Sequence, residues 1–307
     1  MFRLIPEKTN IDFMGSRTIW LSISAVLVLG SLMAAIVLKP KFGIDFAGGL
    51  EFVVKFSETV SANQVRQSSE GASLGSFDVQ SYGDDGSSFL VRMRLEEGTN
   101  VETASAAFTA QMSQVFGAGK YQVLRQEYVG PKAGAELREK GLWALFYSLV
   151  AILLYVAVRF EFSYAMGSVA ALFHDVIIVC GVFIVLGHEF DLQTLAALLT
   201  IVGYSINDTI IVFDRIRETA GKRNKGNLEH VMNLAVNDTL SRTVITNMTV
   251  LFSVLALYLL SPEGTPIREF GLAMTIGAVV GTYSSIYVAS PIVLAWENLM
   301  QRRAKAQ

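Results

Sequence analysis

The sequence predicts an α-helical integral membrane protein with six transmembrane helices and an α+β, ferredoxin-like domain between helices 1 and 2. Three observations predict it. Of the 307 residues, 52% are hydrophobic and 17% charged, with a mean hydropathy of +0.44. Six segments, 18–38, 141–158, 163–186, 192–213, 243–260 and 270–296, reach the ~20 mostly apolar residues that cross about 30 Å of hydrocarbon. The stretch between the first two turns polar, rich in Gly, Ser and Gln, and alternates like strand.

The chain divides into an N-terminal segment 1–17, helix 1 at 18–38, an extramembrane domain at 39–140, helices 2–6 within 141–296 with a basic loop at 214–240, and a tail at 297–307. Helix 1 follows Arg3, Glu7, Lys8, Asp12 and Arg17 and runs into Lys39-Pro40 without a small-residue cleavage site, so it reads as a retained span. Lys and Arg near span ends set orientation. They gather before helix 1 (Arg3, Lys8, Arg17), at Arg159, after helix 4 (Arg215, Arg217, Lys222, Arg223, Lys225) and in the tail (Arg302, Arg303, Lys305), whereas HEFD at 188–191 and SPEGTP at 261–266 carry none. Both termini are therefore expected in the cytoplasm and the domain on the opposite side.

Within the domain, Leu50, Phe52, Val54 and Phe56 alternate with Glu51 and Lys55, a strand with one apolar face. Ser61 and Gln64 form a capping box that opens a helix. Strands follow at 76–82 and 88–95, joined by a turn through Gly83, Asp84, Asp85 and Gly86. Thr99 and Glu102 suggest a second capping box, for a helix to Phe116, and a last strand covers 120–129 before Gly130-Pro131. The order β-α-β-β-α-β is the ferredoxin-like unit. Gly48-Gly49 reads as a turn or bulge rather than a phosphate loop. The domain has no His or Cys, and its expected role is to bind or pack against polypeptide.

Ionisable groups inside spans are costly, about 2.5–3.5 kcal/mol at a helix centre even on a lenient scale, so Asp208 in GYSINDTIIVF at 203–213 is the leading candidate. It has polar neighbours in Ser205, Asn207 and Thr209. Arg242, Thr246, Thr249 and Ser253 share one face of helix 5; such a stripe is expected to face other spans or water. Asp208 and Arg242 read either as a proton-exchanging pair or as a static ion pair. Asp175, in Phe173-His174-Asp175-Val176, reads equally as relay or packing residue, and His174 as structural. Asp214, Arg215, Arg217 and Glu218 read as an interfacial anchor, and Leu228, Val231, Met232 and Ala235 as the apolar face of a short interfacial helix. Ala273, Gly277, Gly281, Ser285 and Ala289 form a small-residue ridge for close helix packing.

Other chemistries find no support. Three scattered histidines without HExxH spacing disfavour a metal site, and lone Cys180 offers neither disulfide nor thiolate cluster. No P-loop or GxSxG occurs, so no enzyme activity and no cofactor is expected. The net charge of −2 and the lack of a basic cluster speak against nucleic acid.

GIDFAGGLEF at 43–52, Val129-Gly130-Pro131, Phe173-His174-Asp175-Val176, GYSINDTIIVFDRIRE at 203–218 and TLSRTVITN at 239–247 together resemble the SecF family, over nearly the whole chain. Ala47 stands where the family motif GIDFTGG has threonine, which removes any role for a hydroxyl there. The resemblance implies half of an RND-type transporter in the bacterial inner membrane, with a periplasmic domain. It implies SecD as partner, assistance to protein translocation through SecYEG driven by the proton-motive force, and a translocating preprotein as cargo, with YajC and YidC as further candidate partners. It implies that the aspartate of the NDT motif and the arginine of the SRT motif, here Asp208 and Arg242, conduct protons. Two alternatives stay open: a passive subunit docking SecD onto the translocon, and an RND-like proton-coupled small-molecule exporter.

Overall fold

The computed structural model describes residues 9–70, 77–95, 99–222 and 228–306. The basic positions Arg3, Lys8, Arg223 and Lys225, and Glu7, lie outside the described residues, as do the side chains of Lys222 and Lys305. Among the described residues, six helices are long and apolar enough to cross a membrane. They are α1 (Arg17–Val37), α5 (Pro131–Arg159), α6 (Phe162–Leu186), α7 (Leu192–Lys222), α8 (Leu228–Leu260) and a last span made of α9 (Pro266–Ser284), a π-turn (Ser285–Ala289) and α10 (Ser290–Ala306). Between α1 and α5 lie β1 (Lys41–Phe42), α2 (Ile44–Ala47), β2 (Gly49–Phe56), α3 (Ala62–Glu70), β3 (Phe77–Ser81), β4 (Ser88–Met93), α4 (Val101–Phe116) and β5 (Tyr121–Val129); β6 (Glu189–Phe190) links α6 to α7.

The domain is the expected ferredoxin-like unit, an antiparallel sheet of order β3-β4-β2-β5. Leu50, Phe52, Val54 and Phe56 do point to one side, where they pack with Val65, Phe108 and Met112 of α3 and α4, and the Phe52 and Phe108 rings stack at 4.3 Å. The Ser61 capping box forms, Gln64 Oε1 accepting from Ser61 N at 2.9 Å and Ser61 Oγ from Gln64 N at 3.3 Å. The second cap sits one residue later than expected: Asn100, not Thr99, accepts from Thr103 N at 3.1 Å, the stronger N-cap side chain winning.

The spans depart from expectation at their ends. Helix 2 begins ten residues early, at Pro131, because proline is pre-organised for the first helical position. Segment 228–240 is no separate interfacial helix; it is the opening part of the unbroken 33-residue α8. Its apolar face, Val231, Met232, Ala235 and Val236, is buried in the bundle core together with Phe13 and Met14. Segment 11–14 crosses that helix and is tied to it by two asparagines: Asn233 Oδ1 accepts from Met14 N and Asn237 Oδ1 from Ile11 N, both at 2.9 Å. Of the loop expected at 214–240, residues 214–222 belong to α7 and 228–240 to α8. The bundle closes by small residues: a Cβ on Gly181 of α6 would lie 2.7 Å from Ser31 Cα of α1, and one on Gly271 of α9 2.8 Å from Tyr258 N of α8.

Candidate functional site

Asp208 projects from α7 into the bundle and is 3% exposed. Its Oδ2 accepts from Asn247 Nδ2 of α8 at 2.5 Å. Asn247 Oδ1 accepts in turn from the Tyr204 hydroxyl, one turn before Asp208 on α7. The second carboxylate oxygen, Oδ1, is buried with no hydrogen-bond partner among the described residues, and so is the Thr243 hydroxyl. Thr243 and Asn247 are four residues apart, on one face of α8, and both are buried.

Arg242 is placed differently from the pairing considered in the sequence. It makes no ion pair with Asp208 within 4.0 Å among the described residues, and its side chain is exposed. Thr249 and Ser253 are exposed beside it and Thr246 is half-buried. The polar stripe thus faces out from this chain, with Thr249 and Ser253 donating to their own helix at Ile245 O (2.8 Å) and Thr249 O (2.9 Å). Asn207 is exposed as well, whereas Thr209 is buried, its hydroxyl 3.3 Å from Ser205 O. What the stripe obscured is the neighbouring, buried face of Thr243 and Asn247, inside the same motif, from which Asn247 holds Asp208.

Asp175 is 0% exposed and fully engaged. Oδ2 accepts from Ser205 Oγ at 2.6 Å and from Ser284 Oγ at 2.9 Å, and Oδ1 lies 2.9 Å from His174 Nδ1. It ties α6, α7 and α9 together. The small-residue ridge makes room for this: a Cβ on Gly277 would meet Ile201 at 2.4 Å, and one on Gly281 would meet Ser205 at 3.2 Å and Asp175 Oδ2 at 3.6 Å. Ser285 opens the π-turn and its hydroxyl donates to Thr282 O at 3.1 Å. At the far end of α7, Arg215 joins Asp238 and Glu218 at 2.7 Å each, and Arg159 approaches Asp214 at 3.6 Å.

A second charged cluster joins the domain to the bundle. Glu51, on the sheet face away from α3 and α4, is 6% exposed and accepts from Arg92 Nε at 2.9 Å and Arg125 at 2.7 Å. Arg92 also reaches Glu189 of β6 at 2.8 Å, while β1 pairs with β6 in parallel. Gly83 N donates to Glu263 O at 2.7 Å, closing a second link. Burial pushes the Glu189 carboxyl above its ordinary value, with Arg92 opposing, and burial likewise raises Asp191.

Arg92→Ala would strand Glu189 in this junction and leave Glu51 with Arg125 alone, and is expected to cost on the order of 3 kcal/mol in thermal or denaturant unfolding. Glu189→Gln is expected to change stability by less than about 1 kcal/mol, because it removes a charge that burial opposes. A carboxyl with a raised folded value binds more protons folded than unfolded, so its contribution is present below the ordinary carboxyl range and is lost as pH rises through the raised value. The melting point of the wild type should therefore fall more, as pH rises above the ordinary carboxyl range, than that of Glu189→Gln. Parallel curves would exclude this assignment.

Residues 108–299 match the family model described as Protein export membrane protein SecD/SecF, C-terminal, and residues 34–60 match the SecD/SecF GG Motif. The chain is 39% identical over 301 residues to the Protein translocase subunit SecF of Calditerrivibrio nitroreducens, covering 97% of this chain and 98% of that protein. It is 41% identical over 302 residues to the SecF subunit of Cereibacter sphaeroides, covering 95% and 91%. A crystal structure of SecDF, a translocon-associated membrane protein from Thermus thermophilus, superimposes with a TM-score of 0.84 at 36% identity, covering 96% of this chain and 40% of that one. SecDF in a super-membrane-facing form gives 0.72 at 35% identity, over 100% and 41%. The chain thus spans about two fifths of the solved SecDF chains. With six spans, a ferredoxin-like insert and near full-length identity to SecF subunits, the chain belongs to the SecF family of protein translocase subunits.

Proposed function

We propose that the chain works as the SecF half of a SecDF assembly in the bacterial inner membrane, using the proton-motive force to assist protein translocation through SecYEG, with Asp208 as the residue that takes up and releases the proton. The observation that carries this reading is the asymmetry of Asp208: one oxygen is held by Asn247, and the other is buried with no hydrogen-bond partner among the described residues. A carboxylate that is buried but only half satisfied is poised to change protonation state. Asp175, with both oxygens engaged, serves as a pin between helices.

SecD is the partner expected against the outward stripe of Arg242, Thr246, Thr249 and Ser253, since lipid tails would not accept it. Motion that brings Arg242 onto Asp208 would favour the ionised carboxylate and expel its proton. Each charge moved supplies about 2.3 kcal/mol per 100 mV, enough to bias a conformational equilibrium that the domain junction passes on to the preprotein. The basic span ends favour cytoplasmic termini and a periplasmic domain. YajC and YidC remain candidate neighbours.

The test uses membrane vesicles holding SecYEG and the SecDF assembly. Completion of an arrested preprotein should depend on this chain only while a proton gradient stands, and a protonophore should bring the rate to that of vesicles without it. Stimulation that persists without the gradient would show a passive docking subunit instead.

A further inference from the structure

We propose that the apolar cleft beneath the domain holds an acyl chain of an anionic phospholipid whose phosphate rests on Arg138. The cleft, about 250 Å³, lies where the domain meets the bundle, between α2, the start of α5, the end of α6 and the start of α7. Phe42, Phe46, Leu142, Leu145, Ile184 and Leu198 form its walls. Because it lies at the domain-side ends of three spans, it sits at the depth where headgroups give way to hydrocarbon. From Arg138 to Leu145 the wall descends roughly 10 Å along α5 at 1.5 Å per residue, the reach of an upper acyl segment.

Two features name the occupant. Leu142 lines the cleft and is 64% exposed, continuous with exposed Trp143, Phe146 and Tyr147 on the same helix; such aromatics mark the membrane interface. The back of the cleft is closed, since Gly141 packs so tightly on Leu195 that a Cβ would lie 2.5 Å from it. The mouth is therefore on the bilayer side. At the rim, the Arg138 guanidinium lies 5.3 Å above the Phe42 ring and has no carboxylate within ion-pair distance among the described residues. The one acid at the cleft, Asp191, is turned onto Thr194 N (2.7 Å) and Thr194 Oγ1 (2.8 Å), and burial favours its neutral form. An unpaired guanidinium over an apolar slot in the interface matches a phosphodiester with its acyl chain.

The experiment reconstitutes the full chain with its SecD partner in vesicles of equal parts phosphatidylglycerol and phosphatidylcholine, then identifies retained lipid by native mass spectrometry after mild detergent extraction. The wild type should keep one phosphatidylglycerol per chain, preferred about tenfold over phosphatidylcholine, a difference of roughly 1.4 kcal/mol. Arg138→Gln should erase that preference, and Leu142→Trp should lower retention of both lipids at an unchanged melting point. Equal retention of the two lipids by the wild type, or undiminished phosphatidylglycerol in both variants, overturns the proposal. So does a photoactivatable side chain at position 142 that crosslinks only to SecD.

Discussion

Asp208→Asn should abolish proton-driven export stimulation while leaving the assembly intact. The amide fills the same volume and still offers Asn247 Nδ2 an acceptor in place of Oδ2, so folding should change by less than about 1–2 kcal/mol. It cannot ionise, so a proton arriving at this depth finds no site. Asp175 should behave in the opposite way. Asp175→Ala leaves Ser205, Ser284 and His174 without their shared acceptor, with a penalty of roughly 2–4 kcal/mol from the orphaned groups. The measurements are preprotein completion with and without a gradient, beside co-purification of SecD and the melting point. Asp208→Asn should lose the first and keep the others; Asp175→Ala should lose melting temperature and SecD together. Full stimulation by Asp208→Asn would remove this residue from the proton path.

The sequence made the bundle legible because hydrocarbon imposes a simple rule, about 20 apolar residues per crossing, and because period-two alternation marks strands such as Leu50–Phe56. The cost of burying a charge also singled out Asp208 and Asp175. The partners of those carboxylates were harder to read. Arg242 invites pairing with Asp208 by charge, yet the next residue, Thr243, and Asn247 share the face turned inward. A rotation of about 100° per residue separates the two readings, and only packing of α8 on α7 and α9 fixes that angle. Glu51 misled in another way. Alternation placed it on a polar face, and that face is buried because the whole sheet docks onto the span-connecting loops through Arg92 and Glu189. Docking between distant segments leaves no periodic trace. The continuity of α8 was hidden for the same reason, since segment 11–14 covers its first turns.

Gly48→Ala and Gly49→Ala should each destabilise the domain by on the order of 3 kcal/mol or more, combining backbone strain with collision. Both glycines adopt positive φ, 76° and 143°, where a side chain costs roughly 1–2 kcal/mol. The space is also taken by backbone. A Cβ at position 48 would lie 2.6 Å from Pro131 Cα, and one at position 49 would lie 2.4 Å from the Met93 carbonyl oxygen. Neither neighbour can rotate away, because Pro131 starts α5 and Met93 is paired with Leu50 in the sheet. The turn read in the sequence is therefore the point where the first strand, its partner strand and the second span converge. Thermal unfolding of the purified assembly, compared with Gly83→Ala, would check it. Gly83 also has positive φ, 73°, but open space around it, so its substitution should cost only the strain. Equal losses at all three positions would show that collision adds nothing.

The unbroken α8 also makes the molecule a lever. Its 33 residues extend about 50 Å at 1.5 Å per residue, well beyond the roughly 30 Å of hydrocarbon. Asn247 touches the carboxylate near the middle of the rod, and Asn233 and Asn237 grip the N-terminal segment at one end. A rigid rod cannot shift at its centre without moving its ends. An adjustment of an ångström or so beside Asp208 would thus reappear where the chain enters its first span, and on the proposed role of Asp208 a change in its protonation would be felt at the start of α1.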